Sequence, residues 1–379
     1  MINDFVADFA GLTALCAQVA GDEPRRLDPQ RPVWIFGAGQ FGRDVCTALR
    51  EAGFDVAGFI ETNPRERRVL GLPVVSWAEL EPEHVKAQLA VGIFNRGMPL
   101  DELANLASAA GFTEIRMPWD IYAQFGERLG WRFWLSGPEV ILDNLPAIER
   151  TFLSLADDES RKCLLQICEF RLGRNLGYAS FSHDEPQYFN ALTLESLAGK
   201  AIDYVDGGAY NGDTFLELAN LVDVGNAWLF EPDPENFAAL ATAARRMSPR
   251  SVCLPLAVAD AYRILSFSGG NGEGGTISDD GTVRIAAVAL DDVLPTQRVD
   301  FIKLDVEGAE IQALRGAAQL IRRSRPVLAI SLYHRPQDIW DIPEQLVALC
   351  PDYQFYIRQH YYNSFDSVLY AIPERTGAA

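Results

Sequence analysis

Short apolar runs of strand length alternate along the chain with stretches of helical spacing. The first run is Pro32-Val33-Trp34-Ile35-Phe36. Gly37-Ala38-Gly39-Gln40-Phe41-Gly42 follows it, and a helical pattern continues through Leu49. Val56 to Ile60 predicts a second strand with Glu61 at its end, and Leu89 to Phe94 a third. Between 100 and 110 the apolar positions Leu103, Leu106, Ala107 and Ala110 predict a helix. This strand–helix rhythm over about residues 31–118 predicts a parallel sheet.

The pattern changes over 119–200. Aromatic residues cluster from Trp119 to Trp134, and helical spacing follows at Ile148, Phe152 and Leu155 and at Leu164, Ile167 and Phe170. These positions predict a helical connector packed on the second domain, with the aromatics as core or interface. A second alternation begins near Ile202. Strands are expected at 202–206, 227–231, 252–258, 299–305, 327–333, 353–359 and 366–372, and helices at 213–222 and 309–322. The connection 360–365 is too short for a crossover, so the last two strands must be an antiparallel hairpin. The run Ser268 to Gly275, with five glycines, is expected to be a flexible loop or hairpin tip, with a lid over the acceptor as the functional alternative. The expected organisation is therefore 1–118, a Rossmann-like α/β domain; 119–200, a helical connector; and 201–379, a larger α/β domain with a mostly parallel seven-stranded sheet.

Composition narrows the functional classes. The chain has 379 residues and a net charge of −19, from 33 basic and 52 acidic side chains. Such acidity disfavours binding to nucleic acid or an anionic membrane, because phosphates need a basic surface. No apolar run approaches the roughly 18 residues of a membrane span. Asp4 and Asp8 interrupt the apolar N-terminus, and no Lys or Arg precedes them, so no export segment is expected. The six cysteines are scattered without a CxxC pair, which argues against zinc ribbons and redox motifs. Reduced thiols in a cytoplasm are the expectation.

Two glycine motifs carry candidate chemistry. Gly37, Gly39 and Gly42 form GxGxxG between a strand and a helix, with Glu61 nineteen residues beyond Gly42. Glycines there let backbone N–H groups approach a diphosphate at a helix N-terminus, and the acid can accept ribose hydroxyls. The alternative is a domain that binds nothing and serves packing or a homo-oligomer. Gly58-Phe59-Ile60-Glu61-Thr62-Asn63, with Gly71-Leu72-Pro73-Val74, resembles the N-terminal nucleotide-binding domain of bacterial sugar acetyltransferases. That resemblance implies a dinucleotide or nucleotide-sugar ligand. No acid–base pair suited to hydride transfer follows, although an NAD-dependent oxidoreductase is the competing enzyme class.

The second motif is Tyr204-Val205-Asp206-Gly207-Gly208-Ala209-Tyr210-Asn211-Gly212-Asp213, again between a strand and a helix. Glu231 ends the next strand, nineteen residues after Gly212. A loop of small residues admits an amino-acid moiety, and a carboxylate on the next strand suits a ribose diol. S-adenosylmethionine presents both and has no phosphates, consistent with the lack of a P-loop lysine. Together with Val299 to Glu310, Leu290-Asp291-Asp292-Val293-Leu294, Leu332-Tyr333-His334-Arg335-Pro336 and the closing Asp366 to Ala371, this loop resembles the FkbM family of methyltransferases. The resemblance spans about residues 145–373. It implies a class I methyltransferase fold that uses S-adenosylmethionine, commonly to O-methylate sugar or polyketide hydroxyls. Gly207 departs from the hydrophobic residue usual at its place.

By that resemblance, Asp206, Gly208, Ala209 and Gly212 would line the methionine part of the cofactor, and Glu231 would hold the ribose. Ala257, Val258 and Asp260 sit where the adenine edge is met. The competing role for Asp206 is a loop-ordering carboxylate. A hydroxyl acceptor needs a proton acceptor. Asp305 ends one strand and His334 follows the next, so either, or the two as a pair, is the candidate base. Glu307 and Glu310 are read as acids favoured at a helix start, and Lys303 as a neutraliser of Asp305. Asp305, Glu307, His334 and His360 are ligand types for Mg²⁺ or Mn²⁺, but no tight spacing singles out a metal, and none is expected. Tyr210, Tyr333 and Tyr361 are candidate acceptor contacts, with packing as the competing role; His84 and His183 read as structural or exposed. The sequence thus predicts an O-methyltransferase of a small-molecule or glycan-precursor hydroxyl, with a non-catalytic binding or scaffold protein as a further alternative.

Overall fold

The computed structural model describes residues 5–178, 181–197, 199–247, 250–268, 276–277, 281 and 283–374. The glycine-rich run 269–275 lies outside them. The chain forms two compact units. The first comprises Met1–Pro146, Lys162–Ser182 and Tyr361–Phe365; the second comprises Ala147–Arg161, His183–His360 and Asp366–Ala379. The stretch 119–200 is shared between them.

In the first unit, β1 (Val33–Phe36), β2 (Val56–Ile60), β3 (Arg68–Val69), β4 (Leu72–Val75), β5 (Gln88–Val91) and β6 (Ile115–Arg116) form one sheet in the order β3-β4-β2-β1-β5-β6. All pairings are parallel except β3 with β4. The helix Gln40–Glu51 buries Phe41, Val45, Cys46, Ala48 and Leu49, the face its spacing predicts. β5 stops at Val91, short of the expected Phe94. Gly92 explains the end: a Cβ there would lie 2.7 Å from Ile35 Cγ2 and 2.8 Å from Gly42 Cα, so backbone passes against backbone.

The second unit contains β7 (Ile202–Gly207), β8 (Val224–Phe230), β9 (Ser251–Leu254), β10 (Leu256–Val258), β11 (Arg263–Ser268) and β12 (Thr276–Ile277). They are followed by β13 (Val283–Val288), β14 (Phe301–Leu304), β15 (Val327–Ser331), β16 (Tyr353–Gln359) and β17 (Ser367–Pro373). Seven of these form a sheet in the order β16-β17-β15-β14-β7-β8-β9. Its inner pairings are parallel, while β17 runs antiparallel to both β15 and β16. Tyr204, Phe215, Leu229, Leu240, Phe301, Ala329 and Tyr370 fill its core. The strand order reverses between β7 and β14, and the crevice beyond their carboxyl ends is where open α/β sheets take ligands.

Two expectations are corrected. The run 252–258 is not one strand: Pro255, with no N–H to donate, separates β9 from β10. β10 instead joins a four-stranded sheet in the order β10-β13-β11-β12, around Ala257, Phe267, Ile285 and Ala287. The helix expected at 309–322 is two, Glu310–Gly316 and Ala318–Ser324. A Cβ on Gly316 would lie 2.0 Å from Ala259 O, so the first helix ends where it presses on the chain leaving β10. Among the described residues no helix is long and apolar enough to cross a membrane.

Candidate active site

The loop after β7 crosses the end of β14 at van der Waals limit. Gly208 has φ +78°, and a Cβ there would lie 1.9 Å from Asp305 O, so both the conformation and the space require glycine. The N–H groups of Gly208 and Ala209 donate to Phe230 O at 3.0 and 2.9 Å. Gly212, also left-handed, caps the helix Asp213–Leu221. Glu231, just past β8, ties the loop from the other side. Its Oε2 accepts the Tyr210 N–H at 2.9 Å and its Oε1 the Asp233 N–H at 2.8 Å. Each oxygen keeps a further lone pair. Burial pushes the carboxyl up to about 7, against the opposing pull of those two N–H groups.

Asp206 lies beneath this loop rather than in its mouth. It has no exposed surface, and its Oδ1 is 3.0 Å from Lys303 Nζ, its register partner on β14. Lys303 Nζ also donates to Gly208 O at 2.6 Å and lies 5.3 Å from the centroid of the Tyr188 ring. Burial works against the ammonium, but Asp206 and then Asp305 outweigh it and raise its pKa. The sequence reading of Lys303 as a neutraliser of Asp305 is thus incomplete: its ion pair is with Asp206, and it fixes the loop carbonyl.

Beyond β14, Asp305 keeps part of its carboxylate exposed. Tyr188 donates its hydroxyl to Oδ2 at 3.0 Å and Tyr333 to Oδ1 at 3.1 Å. His334 is fully buried. Its Nδ1 is 2.8 Å from Glu310 Oε1, and its Nε2 is 3.3 Å from Asp305 Oδ1 and 3.6 Å from Glu307 Oε2. Glu310 Oε1 also accepts the Val306 N–H at 2.8 Å. Burial disfavours a charged imidazole, but Glu310, Glu307 and Asp305 outweigh it and bring His334 to about 10. These three carboxylates favour the imidazolium over the neutral ring that a base in its own right needs. Asp305 is the opposite case: burial raises its pKa, yet Lys303 and His334 more than compensate and hold it below the ordinary range. Glu310, read from sequence as an acid favoured at a helix start, is completely buried. Glu307 adopts a left-handed φ of +52°, followed by Gly308 at +92°, which turns its side chain back toward His334.

Ala257 and Val258 are buried in β10, and Asp260 pairs with Arg263. His360 bonds Glu185 O through Nδ1 and the Tyr370 hydroxyl through Nε2, and burial lowers it to about 4. Tyr361 belongs to the first unit, beneath the Arg96 guanidinium. His84 bridges two carbonyls, Glu81 O and Ala110 O, and His183 lies 3.6 Å from Glu159. In the first unit Gly37 has φ +103°, and a Cβ on Gly42 would lie 2.0 Å from Gly37 O. Gly39 caps the helix that follows, and Glu61 Oε1 accepts the Ala38 N–H at 3.3 Å. The acid after the second strand thus meets the glycine loop in both units.

Residues 206–362 match the family described as the methyltransferase FkbM domain. That match covers 157 of the 379 residues. The whole chain is similar in fold to a methyltransferase FkbM from Methylobacillus flagellatus KT, at 22% identity and a TM-score of 0.77, covering 96% of this chain and 98% of that one. A precorrin-6y C5,15-methyltransferase from Geobacter metallireducens GS-15 matches 52% of this chain and 95% of its own at 13% identity and a TM-score of 0.30. A fibrillarin from Aeropyrum pernix matches 46% of this chain and 67% of its own at 12% identity and a TM-score of 0.28. No curated protein matches the chain. The sheet order and the first of these likenesses give the fold: a class I methyltransferase. Glu231, Asp305 and His334 fall inside the matched residues 206–362, whereas Tyr188 precedes them. No sequence feature marks Tyr188, because its role depends on a contact 117 residues away in the chain.

Proposed function

We propose that the FkbM domain transfers a methyl group from S-adenosylmethionine to a hydroxyl oxygen of a sugar or glycan precursor. The observation that carries this reading is the meeting of the glycine loop, Glu231 and Asp305 at the switch point of one sheet. The residues fit that cofactor. Glu231 has one accepting lone pair left on each oxygen for the two ribose hydroxyls, and the loop has no side chain at Gly208 or Gly212 to bar an amino-acid group. Ala257, Val258 and Asp260 remain the candidates for the adenine edge. Asp206, being enclosed, supports the loop through Lys303 rather than touching the cofactor. When bound, S-adenosylmethionine supplies a methyl group on a sulfonium, open to in-line displacement. Asp305 then accepts the proton of the acceptor hydroxyl, while Tyr188 and Tyr333 fix its carboxylate and the His334 cation holds it in place. Aromatic rings beside a carboxylate suit a sugar, which presents an apolar face and hydroxyls. The test is calorimetry on the intact chain: S-adenosylmethionine binds, and Glu231→Ala abolishes it. Binding that survives this substitution would sink the reading.

A second ligand is favoured by one observation, the contact of Glu61 with the GxGxxG loop. We infer a dinucleotide or nucleotide-sugar in the first unit, held at Gly37–Gly42. Failure of NAD(H) and of nucleotide-sugars to give any heat of binding would remove it.

A further inference from the structure

The first unit holds a cavity of about 330 Å³ to which its glycine loop contributes no residue. It opens between the end of the helix Phe9–Gly21, the start of the helix Pro118–Leu129 and the chain from Arg171 to Arg174. Small-ligand sites have roughly this size, about 300–1,000 Å³. We propose that this cavity binds a small zwitterion, an α-amino acid with an apolar side chain, its carboxylate on Arg174 and its ammonium on Asp120.

Four arginines and four carboxylic acids line the cavity, so their charges balance and favour a ligand of no net charge. The Arg174 guanidinium is only half used. Its Nη2 donates to Asp22 Oδ2, while its Nε is buried and has no hydrogen-bond partner among the described residues. Nε and Nη2 share the edge of the guanidinium that a carboxylate takes by two parallel bonds. Asp22 holds that edge by one. A buried N–H left over is costly, and a ligand carboxylate in place of Asp22 satisfies both donors. Asp22 yields readily: its side chain is 43% exposed, and exposed ion pairs contribute little. It also stands at the C-terminal end of a helix, where the dipole disfavours a carboxylate. Asp120 supplies the opposite charge. Only 9% of its side chain is exposed, its Oδ2 accepts the Met117 N–H at 2.9 Å, and Arg25 Nη1 stands 3.9 Å from the same oxygen, too far for a hydrogen bond. The lone pairs beyond that one bond can accept an ammonium. Burial pushes the Asp120 carboxyl up against the pull of Arg25, so a further cation beside it is favoured. Arg174 also acts on Asp120 through space, the proximity that two charges on one carbon need. Gly173 fixes this wall: its φ is +69°, and a Cβ there would lie 2.4 Å from Trp119 Nε1, so the chain before Arg174 lies against the indole. Val19, Trp119 and Leu142 give an apolar side for the ligand's side chain.

The intact chain is titrated by calorimetry with L-leucine, with isocaproate, which lacks the ammonium, and with isopentylamine, which lacks the carboxylate. One L-leucine per chain is expected, with each partial ligand bound at least about tenfold more weakly. Arg174→Gln should weaken L-leucine by a similar factor. Asp22→Ala should tighten it about threefold or more, because the fork is then free, a gain that a merely structural ion pair would not give. Glu66→Gln, at an exposed acid of the first unit, leaves binding unchanged. Saturating S-adenosylmethionine leaves the L-leucine heat in place, since the cavity rests on neither glycine loop. The proposal is overturned by no saturable heat with the wild type, by isocaproate binding as tightly as L-leucine, by equal binding to a folded Arg174→Gln or by no gain in Asp22→Ala. Loss of the heat under S-adenosylmethionine overturns it too, because L-leucine would then be occupying the second unit.

Discussion

Glu231 and Asp305 are both carboxylates at strand ends, and their surroundings drive them apart. Glu231 is buried with no cation in contact, so its pKa rises to about 7 from 4.5. Because the folded value exceeds the unfolded one, its contribution to stability is complete below about pH 4.5 and is lost as pH rises through about 7. Acceptance of two ribose hydroxyls needs the ionised form. Affinity for S-adenosylmethionine should therefore rise about tenfold between pH 6 and pH 8, and Glu231→Gln should flatten that profile; calorimetry across the range checks both. Asp305, between Lys303 and His334, stays ionised throughout that range. Its substitution separates chemistry from binding. Asp305→Asn should lower turnover by roughly 10²–10⁴-fold. Affinity for S-adenosylmethionine should change little, since Glu231 and the loop remain. A parallel loss of cofactor affinity would show that Asp305 shapes the cofactor pocket instead of acting on the acceptor.

The two glycine loops allow the same argument for elements, because each glycine has its own spatial reason. Gly42 cannot carry a side chain: its Cβ would meet Gly37 O at 2.0 Å, backbone against backbone. Gly39 has open space within 4 Å and an ordinary φ of −69°. Gly42→Ala should cost roughly 1–3 kcal/mol, read from the urea midpoint, while Gly39→Ala should leave it within about 0.5 kcal/mol. Equal effects would mean that the motif is not read through packing. Spacing alone marks three glycines as equivalent, and this is typical of what the chain discloses. Periodicity discloses the sheets, because alternating elements must bury one face. It does not disclose where an element stops against a distant backbone, as at Gly92 and Gly316. Pro255 was a visible break, yet it sits within a continuous apolar run, and the second sheet it opens depends on pairing with β13 nearly thirty residues on. The acid cluster escapes for the same reason. Glu310 reads only as an acid at a helix start until the fold lays it on His334, and Tyr188 acquires its role only when β14 brings Asp305 to it.

Across the whole molecule, a charge of −19 acts on two sites that would take ligands of opposite sign. S-adenosylmethionine carries a sulfonium and an ammonium against one carboxylate, so the field of the chain draws it in. A dinucleotide or nucleotide-sugar carries a diphosphate and is repelled, and only the local N–H groups of the loop at Gly37–Gly42 and the helix end favour it. Salt screens these long-range terms within about 10 Å at 0.1 M and about 3 Å at 1 M. Raising salt should therefore weaken S-adenosylmethionine binding modestly and leave the affinity of the first unit for its ligand unchanged or higher. The paired variants assign each response. Glu231→Ala should remove the S-adenosylmethionine heat and its salt dependence, while the heat with NAD(H) or a nucleotide-sugar persists; Glu61→Ala should do the reverse. If Glu61→Ala weakens S-adenosylmethionine instead, the two glycine loops do not serve separate ligands, and the first unit acts through the stability of the chain rather than through a site of its own.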